Sequence, residues 1–184
     1  MKAELAAEMA RECLAALPQR RAHVAAVADR ALDVAGPLGL EGDLLEAAAW
    51  LHDIGYSPPI AVTGFHPLDG ARYLRAAGAD KRVVNLVAHH SHAVVEAEER
   101  GLAKNLLVEF PYDDTLPHDA LCYCDMTTGP DGQRMTVQDR LVEIRERYGP
   151  DDVVSRFITK AEPVIVETVE RIAGRLDASV AQSK

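Results

Sequence analysis

Apolar positions recur along this chain at intervals of three and four residues, bounded repeatedly by glycine and proline, while the alternation of a half-buried strand is scarce. That periodicity predicts helices joined by short loops, over residues 2–17, 19–35, 42–54, 67–78, 80–99, 115–127, 136–148 and 150–176. The fold class expected is all-α, one helical bundle spanning residues 1–184. From Asp43 to Ile54 the pattern is apolar nearly all round, which marks a central helix. It runs into His52-Asp53-Ile54-Gly55, where Gly55 suits a left-handed closing position, so His52 and Asp53 are expected in the last turn of a buried element. A carboxylate there is costly unless paired, and a metal ion is one of the few partners that offsets its desolvation. The least regular stretch is Gly101 to Asp114, expected as a loop over a pocket or a plain connection. Near the end, Ile165, Val169, Ile172 and Leu176 share one helical face, which closes the core by default or else pairs two chains as a homodimer.

Composition narrows the class. With 184 residues and 48% hydrophobic content the chain buries one sizeable core. A formal net charge of -9 supplies no positive field for phosphate backbone or anionic lipid, so neither nucleic acid nor membrane is an expected partner and a small molecule is. No apolar run is long enough to span a bilayer, and the start, MKAELAAEMARECLAAL, reads as an amphipathic helix in a cytoplasmic protein. Cys13, Cys122 and Cys124 form no CxxC pair and fit a reducing compartment as small buried hydrophobes.

Six of the seven histidines lie on or at the ends of apolar helical segments: His23, His52, His66, and the run His89, His90 and His92. The chain resembles the HD superfamily of metal-dependent phosphohydrolases. Its signature is a histidine, then adjacent His-Asp, then a distant aspartate, matched by His23 in RRAHVAAVADRAL, His52 and Asp53 in AAAWLHDIGY, and Asp125 in LCYCDMTTGPDG. Members with two metals add histidines after the His-Asp pair and before the final aspartate, places held by His66 in GFHPLDGARYL and His89 in NLVAHHSH. The resemblance runs from about residue 20 to residue 148 and implies an HD-type helical fold with a dinuclear centre.

Local pattern adds detail. Pro67 favours a helix beginning at or beside it, which sets the His66 imidazole at a helix mouth. His89 and His90 stand about 100° apart on a helix and cannot share its centre, so His89 is preferred as ligand, His90 is placed behind the ligands or at a third ion, and His92 is expected to be solvated. Four imidazoles with two carboxylates and no thiolate suit iron, manganese, cobalt, nickel or zinc. Two such ions bridged by Asp53, with His52 beside it, imply metal-activated hydroxide attack on a phosphoric ester or anhydride of a small metabolite or nucleotide. Cations for the phosphoryl oxygens are sought at Arg20 or its neighbour Arg21, Arg72, Arg134 and Arg140.

Departures sharpen the expectation. Several phosphodiesterases of this superfamily carry a lysine after His-Asp-Ile-Gly, where this chain has Tyr56, and the GYP motif of the cyclic-dinucleotide subgroup is absent. The pattern is similar to that of the dinucleoside-polyphosphate hydrolases. Three other readings stay open. One is a di-iron oxygenase, whose relatives place a tyrosine ahead of the first histidine, as this chain does not. Another is a mononuclear nucleotide phosphatase using only His23, His52, Asp53 and Asp125. The third is a nucleotide-binding module without turnover.

Overall fold

The computed structural model describes residues 1–182. The chain is helical from end to end: α1 (Ala3–Cys13), α2 (Pro18–Ala35), α3 (Gly42–Leu51), α4 (His66–Ala76), α5 (Lys81–His89), α6 (Ala93–Glu99), α7 (Ala103–Glu109), α8 (Leu116–Met126), α9 (Val137–Tyr148) and α10 (Val153–Gln182). Short 3-10 turns follow α3 at Ile54–Tyr56 and α5 at His90–His92. Among the described residues the only extended pairing is an isolated bridge between Thr128 and Arg134.

Local chemistry sets several of these boundaries. Pro18 opens α2, where its missing N–H costs nothing. The Asp80 carboxylate accepts from the Arg82 amide to start α5, and the Thr136 hydroxyl accepts from the Asp139 amide to start α9. Helix α3 is the hub: Leu44, Leu45, Trp50, Leu51 and its alanines are all buried, and it packs against α1, α2, α5 and α8. The core that forms around it includes side chains from Ala6 to Ile172. In α10, Ile165, Val169 and Ile172 are buried and the helix lies against α6, α8 and α9, so its apolar face closes the core of the chain itself.

Four expectations are corrected. The helix expected over 80–99 is broken, because Ser91 and His92 adopt left-handed backbone angles (φ 48° and 59°) between α5 and α6. Residues 103–109 form α7, with Leu106 buried, so within the irregular stretch only 101–102 and 110–114 lie outside a helix. His92 is half-buried, its Nε2 3.1 Å from the Thr168 hydroxyl, and not simply solvated. Gly55 is not left-handed. It is glycine because α4 crosses it: a Cβ there would lie 2.0 Å from the His66 carbonyl oxygen and 2.8 Å from the Gly70 amide nitrogen. No helix among the described residues is long and apolar enough to cross a membrane.

Candidate metal centre

The end of α3 delivers His52 and Asp53 into the interior, where α2 brings His23, the start of α4 brings His66, the turn after α5 brings His90, and α8 brings Asp125. Their ligand-type atoms form two triads, His23 with His52 and Asp125, and Asp53 with His66 and His90, each within 4.8 Å. Asp53 faces both: Oδ2 is 3.5 Å from His52 Nε2 and 4.0 Å from His23 Nε2, while Oδ1 is 3.2 Å from His66 Nε2 and 3.9 Å from His90 Nε2.

Backbone carbonyls assign the imidazole protons. A carbonyl only accepts, so Nδ1 of His23 donates to Gly129 (3.0 Å), Nδ1 of His52 to Ala49 (2.7 Å) and Nδ1 of His90 to Val87 (2.7 Å). The turn closed by the Thr128–Arg134 bridge presents the Gly129 carbonyl. Each of these rings therefore turns Nε2 inward. His52 Nε2 is buried without a hydrogen-bond partner, His23 Nε2 lies 3.1 Å from Asp125 Oδ1, and His90 Nε2 lies 3.1 Å from His66 Nε2. Burial, with His52 and His66 nearby, pulls the His90 imidazole down to about 3, so the ring is uncharged at neutral pH, with its one proton on Nδ1 and a lone pair on Nε2. Lone pairs pointing at carboxylates and at one another repel unless a cation sits among them. Carbonyl-oriented imidazoles of this kind are the usual support of metal ligands, and this donor set fits a divalent transition ion.

Both carboxylates stay ionised. Burial alone would raise Asp53, but the Arg20 guanidinium at 2.6 Å, with His52 and His66, holds it well below the usual range. Burial likewise opposes Asp125, but its contacts with the His23 and His52 rings and the nearby Arg140 guanidinium outweigh burial and hold its carboxyl below the usual range. The Ser91 hydroxyl donates to Asp125 Oδ2. The Tyr56 ring stacks on His66 with centroids 4.0 Å apart, and the Arg20 guanidinium lies 4.1 Å from that ring's centroid. Burial foremost keeps the Tyr56 hydroxyl protonated despite Arg20, with Asp53, Tyr148 and Glu96 adding to its rise.

Most of the sequence-derived residues meet here, and three do not. His89 is not in the cluster: its Nε2 donates to the Phe110 carbonyl at 2.6 Å, on the side where Tyr112 and His118 lie. The helical phase ends at His89, and the extended ψ of His90 (148°) with the left-handed Ser91 sends His90 inward in its place. Arg72 is held by Glu109, with Nε 3.1 Å from Oε2, and Arg134 pairs with Asp33 at the exposed surface; neither lines the site. Arg20 and Arg140 do line the cavity over Asp53 and Asp125, a space of about 60 Å3. Arg140 is 4.0 Å from Asp125 Oδ1, and its buried Nε has no partner. Sequence reasoning missed Arg147, Tyr148 and Glu96, which line the same cavity. Glu96 had a signal: it occupies a core-facing position between Ala93 and Ala97.

The HD domain family model matches residues 20–153. Among curated proteins, a tRNA (cytidine(56)-2'-O)-methyltransferase of Thermoplasma volcanium is 38% identical over 77 residues, 42% of this chain. That match covers 22% of the relative, so this chain spans about a fifth of its length. No solved structure matches.

Proposed function

Since the chain belongs to the HD-domain family, which points to metal-dependent hydrolases, we propose that it hydrolyses a phosphoric ester or anhydride of a small metabolite. The observation that carries this reading is the convergence of inward-facing Nε2 atoms on two buried carboxylates, with Asp53 reaching both triads through different oxygens. His23, His52 and Asp125 would hold one ion, His66 and His90 a second, and Asp53 both. The presence of His66 and His90 beside Asp53 favours this over a mononuclear phosphatase. Such ions, of iron, manganese, cobalt, nickel or zinc, supply Lewis acidity and make a water molecule more acidic.

The chain's own residues bind, orient and exclude. Arg20, Arg140 and Arg147 line the cavity with planar donors suited to phosphoryl oxygens, and the unpartnered Arg140 Nε is available to one. Asp53 and Tyr56 hold Arg20 in place. Met126, Ile144 and Phe157 form an apolar wall that limits water. The net charge of -9 speaks against nucleic acid as substrate, and tRNA methylation is not carried over from a relative matched over a fifth of its length. Three unpaired thiols fit the cytoplasm as its compartment.

The test is metal content by mass spectrometry of protein purified without added metal, followed by phosphate release from a panel of phosphomonoesters and anhydrides. About two transition-metal ions per chain with phosphate release supports the proposal. Metal-free protein that stays inert after reconstitution refutes it, and iron-loaded protein that consumes oxygen and releases no phosphate establishes the oxygenase instead.

A further inference from the structure

Six buried side-chain atoms lack a hydrogen-bond partner among the described residues, and three of them gather beside α5, away from the metal centre: Asn85 Oδ1, His89 Nδ1 and His118 Nε2. Asn85 and His89 stand one turn apart on one face of α5, and the His118 ring, from the first turn of α8, lies against the Asn85 backbone. The His89 and His118 ring centroids are 6.3 Å apart, and the Tyr112 ring packs against both, at 5.2 and 5.6 Å. Both imidazoles are buried, 3% and 7% exposed.

Hydrogen bonds fix how these groups point. Asn85 Nδ2 donates to the Pro111 carbonyl (2.8 Å), so Oδ1 is the unbonded end of the amide. His89 Nε2 donates to the Phe110 carbonyl, which leaves a lone pair on Nδ1. His118 Nδ1 is 3.0 Å from the Thr115 hydroxyl, which can accept its proton and so leave the lone pair on Nε2. Two imidazole nitrogens and an amide oxygen are thus shut from water with no donor, a costly arrangement that a cation relieves. Two imidazoles on one transition ion, with bonds of about 2.0–2.1 Å, set their ring centres roughly 5–6.5 Å apart, a range that includes the spacing of His89 and His118.

We propose that His89 and His118, with Asn85 Oδ1, form a separate site for one divalent transition ion such as zinc, crosslinking α5 to α8 outside the centre at Asp53. Among the described residues no carboxylate or thiolate completes a triad with the two rings, so the donors are neutral and hold the ion more weakly than the centre does. The site therefore empties on purification and fills when the metal is supplied. Asn85 and His118 line a surface groove with Pro111 and Thr115, the path by which an ion enters. The site stands whether or not the centre hydrolyses phosphate.

The experiment dialyses wild type, His89→Phe, His118→Phe and the double variant against micromolar zinc and counts ions per chain by mass spectrometry. The expected result is about one ion fewer in each single variant than in wild type and no further loss in the double variant, because one ion needs both rings. The same difference is expected when His118→Phe is added to Asp53→Asn, whose own centre is disabled, which separates this site from the centre. Equal counts in wild type and His118→Phe overturn the proposal and leave a bridging water as the occupant; losses that add in the double variant overturn it as well. Should the variants not fold, nitrogen NMR of histidine-labelled wild type decides. Zinc beyond the centre's share then shifts the ring nitrogens of two further histidines, and signals that stay in place overturn the site.

Discussion

Gly55→Ala tests the close crossing on which the centre is built. The added Cβ would lie 2.0 Å from the His66 carbonyl oxygen and 2.8 Å from the Gly70 nitrogen, both backbone atoms that cannot rotate aside. Carbon–oxygen contacts sit at about 3.3 Å or more, so the start of α4 must retreat by roughly 1.3 Å. Overpacking of this kind costs about 1–3 kcal/mol, and a rigid backbone neighbour puts this case at the upper end, near 3 kcal/mol. For a chain of this size that lowers Tm by roughly 6–12 °C. The same retreat draws the His66 imidazole away from Asp53 Oδ1, now 3.2 Å from it, and weakens the second ion's site. Thermal melts and metal content per chain read both effects. Gly36→Ala is the control, because nothing lies within 4 Å of a Cβ there and the residue is already right-handed helical; its Tm is expected unchanged or slightly raised. A Gly55→Ala protein that melts within about 1 °C of wild type with its metal intact refutes the argument.

Other expectations follow from the same geometry. His90→Ala loses about one metal ion per chain while His89→Ala keeps its full complement, measured by mass spectrometry; the reverse order restores His89 as ligand. Burial pushes the thiols of Cys122 and Cys124 up, so iodoacetamide at pH 8 labels at most the half-buried Cys13 in native protein, as peptide mapping would show. Burial also holds the His118 imidazole below its ordinary value, outweighing its backbone contact with Asn85. The unfolded chain then binds a proton near pH 6.5 that the folded chain takes up only at lower pH, so stability falls as pH drops below about 6.5. His118→Phe makes that fall shallower in urea titrations at pH 7 and 5.5, and an identical slope excludes the contribution.

The all-α class, the central burial of Asp43 to Ile54 and the approximate helices were legible in the sequence, because local periodicity and the punctuation of glycine and proline report which face is buried. So were His23, His52, Asp53, His66 and Asp125 as one group, since their spacing carries a recognisable signature and four of them sit on or at the end of apolar helices. Choosing His90 over His89 required tertiary structure. Two left-handed residues in succession break the helical phase, and no local preference of serine or histidine announces that; contacts such as the Ser91 hydroxyl on Asp125 accompany it. Arginines posed the same difficulty: Arg72 and Arg140 look alike along the chain, and only the fold sets Glu109 against one and Asp125 near the other. Gly55 shows the limit most simply. Its place after the buried helix suggested a left-handed closure, whereas the reason for glycine there, a backbone crossing with α4, exists only once elements distant in sequence pack together.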